Sequence, residues 1–96
     1  MTSKNRAYLK SLAMKQDVIC HVGKSGLTPE ITESIREALK ARELIKIGVL
    51  KNCMEDPREI ASVVAERTKS EVVQVIGKKI VLYKESENKK KIELPS

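Results

Sequence analysis

The chain has 96 residues, of which 41% are hydrophobic, 33% are charged and only 2% are aromatic. A chain of this length buries about two-thirds of its unfolded surface and cannot divide that core between two modules, so we expect one domain over residues 1–96. The net charge of +6 favours a polyanionic partner. Charge alone favours nucleic acid only modestly, because mixed soluble surfaces often carry such a surplus.

Several classes of site and location are disfavoured by what the chain lacks. Cys20 and Cys53 lie far apart and the only histidine is His21, so neither a metal-ligand spacing nor a disulfide scaffold is present. We therefore expect no metal and no cofactor. No apolar run approaches the roughly 18 residues of a membrane span, and the N-terminus lacks a hydrophobic signal core. These features predict no membrane association and a reducing, cytoplasmic location.

The first half of the chain predicts a helix, a strand, a second helix and a second strand, at residues 3–15, 18–22, from 28 onward and 44–50. In the first helix, the apolar stripe includes Tyr8. Thr28 followed by Pro29 marks the start of the second helix, because Thr caps free amides and Pro suits the first helical position. In the second strand, Lys46 and Gly48 lie on the face opposite the apolar residues.

The second half predicts a third helix and an antiparallel hairpin, at residues 56–68, 72–76 and 80–83. The apolar stripe of this helix includes Val63. The order α-β-α-β-α-β-β predicts an α/β fold with three helices and a four-stranded mixed sheet, in which strands linked by crossover helices pair in parallel where they are adjacent. Residues 85–96 are expected to form a polar C-terminal tail.

Residues Gly23–Gly26 read GKSG and join the first strand to the helix that begins at Thr28. Glycines permit backbone conformations closed to other residues, so a phosphate can approach the amides without meeting a Cβ. The free N–H groups and the positive dipole end of the helix add to the attraction. The first candidates for phosphate contact are therefore Gly23, Lys24, Ser25, Gly26 and Thr28.

A GxxG motif alone is a weak signal, because it often marks only a tight strand-to-helix turn. Its place in a basic chain, after a strand and before a capped helix, is typical of loops that clamp a nucleic-acid backbone. The motif is neither a Walker loop nor a dinucleotide fingerprint. Arg36 and Lys40 on the following helix extend the candidate surface and rank below Lys24, because acids surround them; the alternative is a solvated helix face.

The remaining residues separate three classes of function. Tyr8 and Tyr83 are too few aromatics for a base-stacking platform, so recognition of backbone and shape is expected over base reading. An enzyme is disfavoured because Asp17, Glu55 and Asp56 offer neither clustered carboxylates nor a nucleophile with its base; we expect no catalytic residue and no small-molecule substrate. An adaptor that docks a partner protein through the hairpin or a helix face stays open.

Three stretches, ICHVGKSGLTPEI, EALKARELIKIGVL and VVQVIGKKIVLYK, occur in the order and spacing of a known family. From Leu9 to Pro95 the chain resembles the CRM domain, the module of chloroplast RNA splicing and ribosome maturation factors, and within it the stand-alone bacterial YhbY-like group. The resemblance implies a KH-like GxxG loop, a fold similar to the C-terminal domain of bacterial translation initiation factor 3, and association with large-subunit ribosomal precursors.

Further candidate RNA contacts follow from the same resemblance. The basic surface of the family would include Lys46, Lys78 and Lys84 in this chain. Family members often have Arg at the position of Lys84, and Lys keeps the charge but loses bidentate phosphate geometry. The resemblance names neither the RNA element nor the stage of assembly, and the oligomeric state and the role of the C-terminal lysine run stay open.

Overall fold

The structure is a computed structural model that describes residues 1–87 and 90–95. Its elements are α1 (Ser3–Ala13), β1 (Val18–Val22), α2 (Pro29–Arg42), β2 (Leu44–Val49), α3 (Pro57–Thr68), β3 (Glu71–Ile76) and β4 (Lys79–Tyr83). The predicted order and the single mixed four-stranded sheet are confirmed.

Each helix begins at a side-chain cap. The Thr2 hydroxyl accepts a hydrogen bond from the backbone N–H of Asn5, and Thr28 and Asp56 cap α2 and α3 in the same way. Pro29 and Pro57 stand at the first position of their helices, where a missing N–H has no cost. The caps fix where each helix starts, and in α2 this start lies next to the GKSG loop.

The sheet has the strand order β1-β2-β4-β3. β1 and β2 are parallel, as expected for adjacent strands joined by the crossover helix α2. β4 is antiparallel to both of its neighbours, β2 and β3. The C-terminal strand therefore lies inside the sheet, with β1 and β3 at the two edges.

The two faces of the sheet are covered unequally. The side chains of Ile45, Ile47 and Val49 pack against α2 and α3 on one face. Leu44 and Val81 point to the other face, where Leu9 and Ala13 of α1 complete a second cluster. One helix is narrower than a four-stranded sheet, and this second face keeps an uncovered part that includes the exposed His21 of β1.

Arg6 fastens α1 to the edge strand β3. Its Nη1 atom donates to the carbonyl oxygens of Val72 at 2.6 Å and Val73 at 3.0 Å. The pairing of β3 with β4 shifts register between Val72 and Gln74, and such a bulge turns carbonyl groups away from the ladder. The guanidinium satisfies these carbonyls, so Arg6 acts as a structural residue.

The C-terminal segment is polar and mostly exposed over 85–87 and 90–95, and it is fastened to the domain. The Glu43 carboxylate accepts hydrogen bonds from the backbone N–H groups of Ser86, Lys91 and Ile92. Residues 88, 89 and 96 of the tail predicted over 85–96 lie outside the described residues.

Two apolar side chains of the segment add packing to these hydrogen bonds. Ile92 and Leu94 lie against the cluster between α1 and the sheet. Their alternation with exposed residues gives the segment one face toward the domain, an attachment that the polar composition of 85–96 does not predict.

Candidate nucleic-acid interface

Three connections meet at one end of the sheet. The GKSG loop (Gly23–Gly26) follows β1, and the turn at 50–53 follows the parallel strand β2 at the same end. The hairpin at 77–78 joins β3 to β4 there, and the backbone N–H of Val49 donates to the carbonyl of Lys78 at 2.7 Å. We call this the loop end of the sheet.

The GKSG loop is a closed turn. The backbone N–H of Gly26 donates to the carbonyl of Gly23 at 2.9 Å, and the N–H of Thr28 donates to the carbonyl of Gly26 at 3.1 Å. Gly26 has a φ of 71°, in the left-handed region that glycine adopts without strain. The conformation of the turn therefore requires glycine at position 26.

The backbone N–H groups of Lys24, Ser25 and Leu27 remain available in this turn. Within the part of the chain that the structure describes, none of the three donates to an acceptor. Unpaired amides in a turn with a left-handed residue form a concave site suited to an anion. The geometry of the loop therefore fits a phosphate group.

Thr28 has a structural role beside the loop. Its Oγ1 accepts from the N–H of Ile31 at 3.2 Å, and its carbonyl accepts from the N–H of Thr32 at 2.9 Å. These bonds aim the N-terminus of α2, with its positive dipole end, at the loop. The hydroxyl positions the helix, and the loop amides are the donors left for a ligand.

Lysines surround the loop end. An open cavity of about 610 Å³ lies over β1, β2 and the hairpin, and its lining includes His21, Gly48, Lys78 and Lys79. A Cβ at Gly48 would lie 3.1 Å from Cδ2 of His21, so glycine lets the imidazole lie close to β2. The exposed Lys51 stands in the neighbouring turn.

A second groove continues from this cavity toward α1. It has a volume of about 350 Å³ and is lined by Lys10, Lys46, Lys79 and apolar residues that include Ile76. Ile76 and Lys79 line both spaces. Among the described residues that line them, none has a carboxylate, so every charged side chain on this partly apolar surface is basic.

Comparison with known proteins places the chain that carries this surface in a family. The model of the CRS1 / YhbY (CRM) domain matches residues 1–84. The chain belongs to the CRM domain family. It is 46% identical over 95 residues to "Probable RNA-binding protein YqeI" of Bacillus subtilis, with 99% of both chains covered. It is 36% identical over 95 residues to an RNA-binding protein of Haemophilus influenzae, covering 99% of this chain and 95% of that one.

A solved structure has the same CRM fold. The solution structure of the hypothetical protein SAV1595 from Staphylococcus aureus superposes with a TM-score of 0.84 at 46% sequence identity and covers 99% of both chains. The family resemblance seen in the sequence is thereby confirmed, while the likeness to initiation factor 3 stays a prediction.

The CRM domain brings only some of the predicted contact residues together. The GKSG loop, Thr28 and Lys78 share the loop end, and Lys46 lies on the adjoining sheet face. Lys40, near the C-terminus of α2, and Lys84, after β4, lie at the opposite end. The length of β4, five residues, puts roughly 17 Å between the two ends.

Arg36 lies between the two ends and is engaged within the domain. Its Nη1 bonds Oε1 of Glu33 at 2.7 Å, and its Nη2 donates to the carbonyl of Arg67 at 3.0 Å. These contacts tie α2 to α3. Among the basic side chains predicted to contact RNA, Arg36 therefore has two protein partners to release before it could bind a phosphate.

Two lysines at the loop end were missed by the sequence analysis, namely Lys51 and Lys79. Lys51 stands in no motif and Lys79 lies within the stretch VVQVIGKKIVLYK, but only the parallel pairing of β1 with β2 and the antiparallel pairing of β4 bring them to the same end of the sheet as the GKSG loop. The doublet Lys78-Lys79 in the hairpin was the one signal available. Topology, and not local sequence, assembles the cluster.

No group of three or more His, Cys, Asp or Glu side chains within the described residues is arranged to hold a metal ion. Burial raises the pKa of the Cys20 thiol, which favours its neutral and less nucleophilic form.

No helix among the described residues is long and apolar enough to cross a bilayer.

Proposed function

We propose that this CRM domain is a non-catalytic RNA-binding protein that contacts the phosphate backbone of structured RNA through the GKSG loop. The observation that carries the proposal is the set of three unpaired amides at Lys24, Ser25 and Leu27 beside a carboxylate-free basic surface. Amides hold a phosphate in place, and the lysines supply the long-range attraction.

The proposed RNA path runs from the loop over the uncovered sheet face. Lys78 and Lys79 follow the loop, and Lys46 and Lys10 continue the path toward α1. Lys40 and Lys84 form a second, separate contact that an RNA reaches only when it is long enough to span the domain. Arg36 contributes after release from Glu33.

Shape and backbone dominate this mode of recognition. Of the two tyrosines, Tyr83 is buried and Tyr8 stands on α1, so the open sheet face lacks an aromatic platform for stacked bases. Phosphate contacts fix orientation and carry little sequence information. A folded RNA element is therefore the expected target.

The biological setting of the proposal is the assembly of the large ribosomal subunit, and its support is the family membership of the chain. The cytoplasmic location predicted from the sequence belongs to the same proposal. Crosslinking the protein to RNA in cells and sequencing the bound fragments tests this setting. Enrichment of large-subunit precursor RNA is expected, and enrichment of unrelated RNA contradicts it.

A competition titration tests the binding mode. The competitors are a ribosomal RNA helix, a helix of the same shape with scrambled sequence, and a linear strand of equal length. If about three to five phosphates are engaged, a fourfold rise in salt weakens binding by roughly one and a half orders of magnitude or more. Strong preference for one helix over its scramble, with little salt dependence, contradicts backbone recognition.

A protein-interaction adaptor is the second candidate function. Met14 and Ile76, which are 82% and 60% exposed, line the groove beside α1 together with Val81. Exposed apolar side chains in one groove are typical of a protein contact. If the groove serves an adaptor, replacement of both residues by serine abolishes association with ribonucleoprotein particles and leaves RNA affinity unchanged. A parallel loss of RNA affinity assigns the groove to the RNA path instead.

A further inference from the structure

Glu55 lies directly over Gly26 of the GKSG loop. A Cβ at Gly26 would lie 3.0 Å from Oε2 and 3.3 Å from Oε1 of the Glu55 carboxylate. Both oxygen atoms thus stand above the residue that has no side chain. The space left open by the glycine is partly filled by a negatively charged group of the protein itself.

The chain positions Glu55 through the start of α3. It precedes Asp56, whose side chain caps the helix by accepting from the N–H of Arg58 at 2.9 Å. A cleft of about 260 Å³ separates the loop from this helix, and its lining includes Ser25, Glu55, Glu59 and Arg67. On its side toward α3 the loop therefore faces two carboxylates and Arg67, whereas the basic cavity over the sheet begins at His21, two residues before the loop.

No hydrogen bond or ion pair within the described residues holds the Glu55 side chain in place. The side chain is exposed. Lys24 forms no ion pair with it either. An exposed carboxylate without a fixed partner can rotate away at little cost, which a residue that gates an anion site requires.

We propose that the Glu55 carboxylate occupies the path of an RNA phosphate to Gly26 and is displaced when RNA binds. The inference rests on the proposed function, since it concerns the same loop. Two anions cannot share the space over one glycine, so each RNA contact at Gly26 requires the carboxylate to move. Glu55 thereby lowers the affinity of the loop for every phosphate chain by a similar factor.

The test compares two variants with the same change in net charge. Glu55→Gln removes the charge over Gly26, and Glu66→Gln removes an exposed charge near the far end of α3. Binding of a short RNA hairpin is measured at low salt. Glu55→Gln is expected to tighten binding about fivefold, the effect of one charge at contact distance in water. Glu66→Gln is expected to change it less than about twofold because of screening.

A third variant, Lys24→Ala, separates failure of this inference from failure of the proposed function. Equal affinities for Glu55→Gln and Glu66→Gln overturn the gating role; if Lys24→Ala still weakens binding, the loop remains the RNA site. If Lys24→Ala has no effect either, both the gate and the loop site are wrong. Thermal unfolding of Glu55→Gln checks that its fold is unchanged, as an exposed side chain without partners predicts.

Discussion

The carboxylate of Glu43 accepts a hydrogen bond from the backbone N–H of Ile92 at 2.8 Å, across 49 positions of the chain. Glu43 is fully buried, and burial by itself raises the pKa of a carboxyl group. Amide hydrogen bonds from Ser86, Lys91 and Ile92 and the charge of Lys90 outweigh burial and lower the pKa of Glu43. The ionised form therefore fastens the C-terminal segment.

Glu43→Gln is expected to lower the free energy of unfolding by about 2 kcal/mol at neutral pH. The glutamine side chain has one neutral acceptor oxygen in place of two charged ones, and its NH₂ group is a donor that cannot accept from the backbone N–H groups. Glu87→Gln, an exposed change in the same segment, is the matched control. Urea unfolding measures both. An equal effect of the two changes contradicts the role of Glu43.

The contribution of Glu43 to the free energy of unfolding is expected to depend on pH. Its pKa is lowered by folding, so its stabilisation is fully present above the ordinary pKa of glutamate, about 4.3, and is lost as pH falls through the lower folded value. The difference in free energy of unfolding between the native chain and Glu43→Gln should shrink on acidification. A difference that grows as the pH falls contradicts the lowered pKa of Glu43 in the folded state.

Lys24→Ala is expected to change the free energy of unfolding by less than about 0.5 kcal/mol, because an exposed loop lysine has few contacts to lose. RNA binding should weaken, and the slope of log affinity against log salt should fall by about one. Lys4→Ala, an exposed change in the first turn of α1 at the other end of the sheet, is the control. Loss of stability with preserved affinity would make the loop a structural turn only.

Gly26→Ala and Gly77→Ala form a matched pair, since both glycines have positive φ, 71° and 58°. Left-handed strain is expected to cost each variant about 1 kcal/mol of stability, and the new methyl group at position 26 must also displace the Glu55 carboxylate, whereas the space at Gly77 is open. Only Gly26→Ala places a methyl group where a phosphate approaches, so RNA binding should fall more than tenfold there and little at Gly77. Equal RNA affinities of the two folded variants contradict a close backbone approach.

Lys78→Ala and Lys84→Ala separate the two ends of the sheet. Lys84 donates from Nζ to the carbonyl of Thr68 at 3.1 Å, so its loss should cost about 1 kcal/mol of stability. Lys78→Ala should weaken binding of a short hairpin, whereas Lys84→Ala should weaken only a longer RNA that spans the domain. Urea unfolding and titrations with both RNA lengths provide the measurements.

The helices and strands could be predicted from the sequence, because caps, prolines and alternation act locally. The predicted burial of the apolar helix stripes was less accurate at the margins of each stripe. Tyr8 is 38% exposed and Val63 is 40% exposed, although both were expected in the core. A helix that packs on one side of a sheet buries a narrower stripe than its apolar positions cover. Tyr83 is buried because β4 lies inside the sheet, and that position depends on strand order.

The candidate site could be predicted only in its local part. The GKSG motif indicates the loop, and the cap at Thr28 indicates the helix behind it. Strand order decides the rest of the site. It brings Lys51 and Lys79 to the end of the sheet that carries the loop, and it places Lys84 at the other end. It also sets the position of Glu55 over Gly26. Strand order is a long-range property that single residues do not encode.

The central position of β4 has a consequence for how the protein is made. β4 is the last strand to leave the ribosome, yet it supplies the pairing partner of both β2 and β3. Until Lys79–Tyr83 emerges, β2 and β3 each keep an open edge, and open edges are prone to wrong pairing. The nascent chain cannot complete its sheet from the N-terminus onward, so the sheet forms only after β4 has emerged.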